Sequence, residues 1–148
     1  MAGDRAQSNR ASALTGCRRA TSPENGMARM NSPNVALQNV AEAFSLKSQV
    51  YDEFGKDHVN LTRMRNQVYR HVVEYLQPGA RILELNAGTG TDAVHFARLG
   101  FSVHATDFAP GMVARIEEKI AQENLRDRMS VQQCSFTDLE QINAAEFD

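Results

Sequence analysis

Residues 81–93 read RILELNAGTGTDA, in which an apolar run meets two closely spaced glycines and a polar segment. Residues 81–85 predict a short buried strand, and residues 91–99 predict a helix that Gly100 ends. Between them, Gly88 and Gly90 let the backbone turn sharply and come close to a ligand where a Cβ would collide. Free N–H groups at the start of the helix would face that ligand. The stretch therefore predicts a ligand-binding loop between a strand and a helix.

The alternation of strands and helices continues beyond this loop. Residues 101–106 (FSVHAT) and 129–134 (MSVQQC) predict two more strands. Residues 110–124 predict the helix between them, with Pro110 in its first turn, where the missing N–H costs nothing. Strands that alternate with helices form parallel βαβ units. Residues 80–148 are therefore expected to be an α/β domain with an open parallel sheet.

Two helices are predicted ahead of the sheet, within residues 34–79. The first carries an apolar stripe from residue 35 onward and ends at Gly55. The second places apolar residues three and four apart between residues 61 and 76, with Asn60 as its candidate N-cap. The sequence Gln-Pro-Gly at residues 77–79 ends it, because proline cannot continue the hydrogen-bond ladder.

Residues 1–33 differ in composition from the rest of the chain. They carry five arginines against Asp4 and Glu24, a net charge of +3, and almost no large apolar side chains. Such a segment cannot offset the entropy of ordering, so a disordered basic tail is predicted. The composition also fits an organelle transit peptide, or translation that starts at Met27 or Met30.

Composition restricts the classes of partner. A net charge of −2 gives no electrostatic reason to expect nucleic acid or an anionic membrane as a partner. No apolar run approaches the roughly 20 residues that span a bilayer. Cys17 and Cys134 form no metal motif, the four histidines lack metal-ligand spacing, and no metal is predicted. A reducing compartment, the cytoplasm, is the expected location.

An acidic residue at the end of the second predicted strand completes a binding pattern. Asp107 follows Gly90 by 17 residues. A carboxylate in this position can accept hydrogen bonds from both hydroxyls of a ribose. The glycine loop, the helix start and this acid together predict an adenosine site. The competing interpretations are that Asp107 is an ordinary turn residue and that Glu84 is a solvated residue at a strand end.

Two classes of adenosine cofactor use such a scaffold. Gly88, Gly90 and Ala93 satisfy the relaxed dinucleotide fingerprint, which alone is a weak signal. However, Glu84 lies inside the strand end, four residues before Gly88, where it would repel a pyrophosphate. A carboxylate there suits a ligand with an ammonium group and no pyrophosphate. S-adenosylmethionine has that ammonium and a cationic sulfonium as well.

The segments ILELNAGTGTDA and VHATDFAPGM resemble motifs I and II of class I methyltransferases. The chain is most similar to the small-molecule branch of that family, and the resemblance covers residues 40–148. It implies a three-layer, Rossmann-like α/β fold, S-adenosylmethionine as the cofactor, and a small-molecule methyl acceptor. The family sheet has seven strands in the order 3-2-1-4-5-7-6. This chain would supply strands 3-2-1 only, which indicates a truncated domain.

The resemblance also implies roles for individual residues. Glu84 would lie near the amino group of the cofactor, and Asp107 would hold the ribose. Asn86 replaces a glycine of the family, which is tolerable because asparagine visits left-handed φ readily. Backbone contacts to the cofactor would come from Asn86, Ala87, Gly88 and Gly90.

The adenine end of the site is implied in the same way. Phe108 and Met112 would flank the adenine ring. Ser135 and Phe136 follow the third strand, where the family often has an aspartate that contacts the adenine amino group. Ala109 stands where the family commonly has a serine or threonine N-cap, a loss of about 1 kcal/mol.

The helices at residues 34–79 would cover the cofactor. Tyr51 and Asp52 resemble a Tyr-Asp pair in the family's N-terminal helix, although Tyr51 is equally explained as a packing residue. Arg65 is either a partner of the cofactor carboxylate or an exposed helical residue. No general base is predicted. The alternatives are a fragment of an NAD(P)- or FAD-dependent oxidoreductase and a non-catalytic binding protein of the same fold.

Overall fold

The computed structural model describes residues 33–148. The predicted tail lies outside the described residues, except for Pro33, which begins the first helix. No helix within 33–148 is long and apolar enough to cross a membrane. The elements, in chain order, are α1 Pro33–Lys47, α2 Tyr51–Gly55, α3 Val59–Tyr75, β1 Arg81–Glu84, α4 Thr91–Arg98, β2 Ser102–Asp107, α5 Pro110–Gln122 and β3 Met129–Gln133, followed by two short 3-10 turns at Leu139–Gln141 and Ala144–Glu146.

The sheet has three parallel strands in the order β1-β2-β3, as the strand–helix alternation predicts. Its register aligns Ile82 with Val103 and Val103 with Met129. Parallel strands end at the same edge of a sheet, so the residues that follow Glu84 and Asp107 lie side by side. The predicted α/β class is confirmed, and the topology brings the glycine loop next to the end of β2.

The hydrophobic core forms between the sheet and the two crossover helices. From α4 it takes Ala93, Val94, Phe96 and Ala97, and from α5 it takes Ile116 and Ile120. Their three- and four-residue spacing places them on one face of each helix. The central strand β2 contributes side chains that are at most 3% exposed, those of Val103 and Ala105. The glycine loop therefore leads into a helix that is anchored by its apolar face.

Strand β1 is less buried than the sequence suggests. Arg81 is exposed, the other three residues are half-buried, and the neighbouring Leu85 is 39% exposed. Among residues 33–148, β2 is the only strand that pairs with β1. On the other edge, the backbone N–H of Asp148 donates to the Arg81 carbonyl at 3.0 Å. The expectation of a buried strand is corrected here, because one neighbouring strand covers only one edge.

Three helices precede the sheet, not the predicted two. The segment predicted as one helix is interrupted at residues 48–50. The Ser48 hydroxyl donates to the Ser45 carbonyl at 2.8 Å, and its side chain is buried. A serine that bonds to a nearby carbonyl competes with the helical ladder, and α1 ends at Lys47. The apolar stripe runs across this break, so periodicity alone could not reveal it.

The predicted start of α3 was also wrong by two residues. Its N-cap is His58, and Asn60 lies inside the first turn. The side chain of His58 makes no capping hydrogen bond within the described residues. Asparagine is a favoured N-cap residue, but packing of the helix decides the boundary, and sequence signals place such ends only approximately.

Candidate functional site

The loop after β1 has the sharp backbone turns that its glycines predict. Asn86, Gly88 and Gly90 have φ values of 54°, 58° and 74°, all in the left-handed region. The backbone N–H of Ala87 donates to the Thr106 carbonyl at 2.8 Å, which ties the loop to β2. The predicted loop between β1 and α4 is confirmed. Asn86 takes the left-handed conformation expected of it.

Asp107 lies at the end of β2 and accepts hydrogen bonds from the glycine loop and from the turn that leads into α5. One carboxylate oxygen accepts a hydrogen bond from the Gly88 N–H at 2.9 Å, and the other accepts one from the Ala109 N–H at 2.9 Å. The residue is 8% exposed. Each carboxylate oxygen can accept a second hydrogen bond. Asp107 therefore positions the glycine loop and retains acceptor capacity for a ligand hydroxyl.

Glu84, the last residue of β1, carries a buried oxygen that lacks a hydrogen-bond partner among residues 33–148. Burial, and then the nearby Asp92 carboxylate, raise the pKa of Glu84 to about 7, while Arg65 acts in the opposite direction. Asp92 is itself satisfied, since Arg65 Nε lies 3.1 Å away and the Tyr69 hydroxyl donates to it. An unpartnered carboxylate oxygen suits a cationic donor such as an ammonium.

The helix α2 lies against the glycine loop. The ring of Tyr51 approaches Gly88, and its Cε1 lies 3.7 Å from the position that a Cβ would occupy there. Tyr51 is 43% exposed, so it is not a core residue. Its neighbour Asp52 accepts a hydrogen bond from the hydroxyl of Thr89 in the loop. The resemblance to class I methyltransferases indicates Tyr51 as a candidate cofactor contact. It does not predict which residue Asp52 binds.

The first turn of α5 receives its cap from α1. The N–H of Gly111 donates to the Ser45 hydroxyl oxygen at 3.0 Å, and Asp107 accepts from the N–H of Ala109. These contacts satisfy N–H groups that the side chain of Ala109 cannot. A Cβ on Gly111 would lie 2.6 Å from Ser45 Cα, so only glycine lets the two helices approach this closely. No sequence signal connects Ser45 with Gly111.

The residues proposed for the adenine end are only partly brought together. Phe108 and Ser135 are half-buried and follow the ends of β2 and β3. Their neighbours join the two strand ends, since the Asp107 carbonyl accepts a hydrogen bond from the Cys134 N–H at 3.0 Å. Phe136 is 58% exposed, whereas Met112 is 1% exposed and lies in the interior.

No cluster of three or more histidine, cysteine, aspartate or glutamate side chains in the part of the chain that the structure describes is arranged to hold an ion. The site thus consists of a strand-end carboxylate with an unpartnered oxygen, a glycine loop, and a second carboxylate at the next strand end.

Comparison with known proteins shows a match to one family over the second part of the chain. Residues 82–148 match the model of the methyltransferase domain family. The match begins in β1 and includes the glycine loop, Asp107 and the end of β3. The matched segment therefore includes the three strands except Arg81, together with both strand-end carboxylates, whereas Tyr51 and Asp52 lie outside it.

Two characterised relatives differ in what their names say they methylate. A demethylmenaquinone methyltransferase from Corynebacterium glutamicum is 30% identical over 95 residues, which are 64% of this chain and 38% of that protein. A ribosomal RNA small subunit methyltransferase J from Bdellovibrio bacteriovorus is 28% identical over 90 residues, 58% of this chain and 35% of that protein. The matched segments thus span little more than a third of these relatives.

Solved structures share the fold. A magnesium protoporphyrin IX methyltransferase from Synechocystis PCC 6803, solved with bound S-adenosylhomocysteine, aligns with a TM-score of 0.57 and 20% identity. The alignment covers 72% of this chain and 53% of that one. At this identity the similarity shows the fold, which is the Rossmann-like architecture expected from the two sequence motifs.

Proposed function

Because residues 82–148 match the model of the methyltransferase domain family, we propose that this chain binds S-adenosylmethionine and serves in methyl transfer. The observation that carries the proposal is the placement of Glu84 and Asp107 on either side of the glycine loop, at the ends of adjacent parallel strands. The oxidoreductase alternative gains no support from the relatives named above.

The residues present fit the cofactor. The Glu84 oxygen that has no hydrogen-bond partner within the described range 33–148 matches the ammonium group of the cofactor, and the remaining acceptor capacity of Asp107 matches the ribose hydroxyls. Phe108 and Ser135 are proposed at the adenine end, with Met112 supporting the site from the interior. Further contacts are proposed for the loop backbone and for two aromatic side chains, namely Asn86, Ala87, Gly88, Gly90, Tyr51 and Phe136.

The chain is proposed to contribute to methyl transfer mainly by orienting the cofactor. The cofactor, when bound, supplies a methyl group already activated by its sulfonium. The strand-end carboxylates and the glycine loop would fix its position, and residues 34–79 would cover the site and exclude water. A general base is needed only if the acceptor must lose a proton, and none is assigned.

We propose a small molecule as the methyl acceptor and the cytoplasm as the location. The name of one relative specifies a quinone precursor, and a structural neighbour is named for a porphyrin. The relative named for ribosomal RNA supports the other class of acceptor. The net charge of −2 favours the small molecule, because RNA-binding surfaces are usually basic.

Equilibrium binding tests the cofactor proposal. In isothermal titration of the chain, S-adenosylhomocysteine is expected to bind at least about tenfold more tightly than NAD, a difference of roughly 1.4 kcal/mol. The physical reason is the half-buried Glu84 carboxylate, which attracts an ammonium and repels a pyrophosphate. Binding of NAD with no binding of S-adenosylhomocysteine would contradict the proposal and favour the oxidoreductase alternative.

The binding should also depend on pH through Glu84. The pKa of Glu84 is about 7 in the free protein, and an adjacent ammonium would lower it, so binding releases a proton. Affinity for S-adenosylhomocysteine is therefore expected to fall roughly tenfold between about pH 7 and pH 5.5, and to level off above the pKa. Burial is the main cause of the raised pKa of Glu84; among the facing groups, Asp92 raises it further, Arg65 lowers it, and the Tyr69 hydroxyl lies nearby.

The matched control for this pH profile is Glu84→Gln. Glutamine keeps an acceptor oxygen but does not titrate, so the profile of the variant should be flat over the same interval. Any pH dependence that the parent and the variant share belongs to groups other than Glu84. A parent and a variant with the same pH profile would remove Glu84 from the proposed site.

A further inference from the structure

The carboxylate of Asp52 on α2 contacts three other elements: the glycine loop, α4 and α5. Oδ1 of Asp52 accepts hydrogen bonds from the hydroxyl of Thr89 and, at 3.3 Å, from that of Thr91. Its Oδ2 lies 2.7 Å from Nζ of Lys119. Asp52 thus joins α2 to the glycine loop, to the first residue of α4, and to α5. We call this group of four residues the Asp52 clamp: Asp52, Thr89, Thr91 and Lys119.

The Asp52 clamp is more shielded than a surface ion pair. Thr89 is 2% exposed, and the side chains of Asp52 and Lys119 are 35% and 19% exposed. Burial opposes ionisation of Asp52, but the hydrogen bonds from Lys119 and Thr89 outweigh it and lower its pKa. The carboxylate is therefore charged near neutral pH, and its hydrogen bonds belong to the stronger, charge-assisted class.

The position of the Asp52 clamp matters for the loop. Gly90, the N-cap of α4, has no side chain with which to cap that helix. The Asp52 charge lies beside the first turn of α4, where a negative charge interacts favourably with the helix dipole. From the opposite side, Asp107 holds the N–H of Gly88. The loop is thereby fixed between a carboxylate of the sheet and a carboxylate of the N-terminal helices.

We propose that Asp52 is a positioning residue that keeps the glycine loop ordered and holds α2 over it, and so controls the rate at which the cofactor leaves. The inference rests on the proposed cofactor function for its second half only. Asp52 holds Thr89 by its hydroxyl, and the adjacent Tyr51 packs over Gly88. Loss of the carboxylate would release the loop and the helix that covers it together.

Hydrogen exchange in the absence of ligand tests the first half. In Asp52→Asn, amide exchange at residues 86–91 is expected to rise roughly tenfold, because the charge-assisted hydrogen bonds from the threonine hydroxyls become weaker neutral ones and the ion pair with Lys119 is lost. The control is Glu53→Gln, which makes the same change of charge on the same helix at an exposed residue. Exchange that rises equally throughout the domain, or equally in both variants, would overturn the proposal.

The kinetics of ligand release test the second half. The dissociation rate of S-adenosylhomocysteine, measured by stopped flow, should rise roughly tenfold in Asp52→Asn and remain unchanged in Glu53→Gln. Thr89→Val should reproduce the effect because it removes the hydroxyl, and Thr89→Ser should restore the parent rate. The double variant Asp52→Asn with Thr89→Val should be no faster than either single variant.

The two proposals fail in different ways. If the parent chain does not bind S-adenosylhomocysteine, the cofactor proposal fails, and the exchange experiment still decides whether Asp52 orders the loop. If the parent binds and Asp52→Asn releases the ligand at the rate of Glu53→Gln, the role of Asp52 is wrong while the cofactor proposal stands. Additive effects in the double variant would likewise contradict the Asp52 clamp.

Discussion

Replacing Gly90 with valine is expected to lower the free energy of unfolding by about 2 to 6 kcal/mol, out of the roughly 5 to 15 that a domain possesses. The φ of Gly90 is 74°, in a region that β-branched residues rarely occupy. A Cβ there would lie 2.9 Å from Cγ1 of Ile116, a fully buried core side chain. The free-energy costs of backbone strain and of overpacking therefore add in this variant. Thermal or denaturant unfolding measures the loss.

Gly79→Val is the matched control for this experiment. Gly79 has a φ of 83°, but a Cβ added to it meets no atom of the described residues within 4 Å. It should show the backbone cost alone, about 1 to 3 kcal/mol. An equal loss in the two variants would mean that the contact with Ile116 is relieved at little cost. The sequence places the cofactor near Gly90, but the structure places Ile116 and Met129 in that space.

Asp107→Ala is expected to weaken the binding of S-adenosylhomocysteine by about ten- to a hundredfold, or roughly 1.5–3 kcal/mol. The variant removes the acceptor proposed for the ribose hydroxyls. It also leaves the N–H groups of Gly88 and Ala109 without their observed partner. Glu84→Gln should cost less, because glutamine still offers an acceptor oxygen. Calorimetric titration of the three proteins gives this order.

A ligand that lacks one ribose hydroxyl distinguishes the two proposed roles of Asp107, which are to bind the ribose and to position the glycine loop. In the parent chain, a deoxyribose analogue of S-adenosylhomocysteine should bind more weakly than the ligand itself. In Asp107→Ala the two ligands should bind alike, because the acceptor for the missing hydroxyl is gone. If the analogue loses as much affinity in the variant as in the parent, Asp107 acts only by positioning the loop.

Several features were determined by local sequence. The order of strands and helices follows from apolar spacing at periods of two and 3.6, which the backbone imposes wherever one face is buried. The left-handed turns at Gly88 and Gly90 follow from the absence of a Cβ. The place of Asp107 beside the loop follows from the parallel βαβ connection, which brings consecutive strand ends together.

Local sequence predicted one helix boundary and the burial of one strand incorrectly. The apolar stripe through residues 35–55 predicts one helix, but Ser48 bonds to the Ser45 carbonyl and ends it early. Strand β1 has the composition of a buried strand, yet its exposure depends on how many strands flank it. Both errors arise because propensity describes a residue and its near neighbours, whereas boundaries and burial depend on what packs against them.

The sequence by itself determined the fold class, the glycine loop and the two strand-end carboxylates Glu84 and Asp107. Only the tertiary structure decided what those groups touch. Asp52 reaches Lys119 across 67 positions of the chain, and Ser45 caps Gly111 across 66. Such contacts carry no local period, because they depend on the docking of one element against another. Packing geometry also buries Oε2 of Glu84 without a hydrogen-bond partner among residues 33–148, and burial raises the pKa of Glu84.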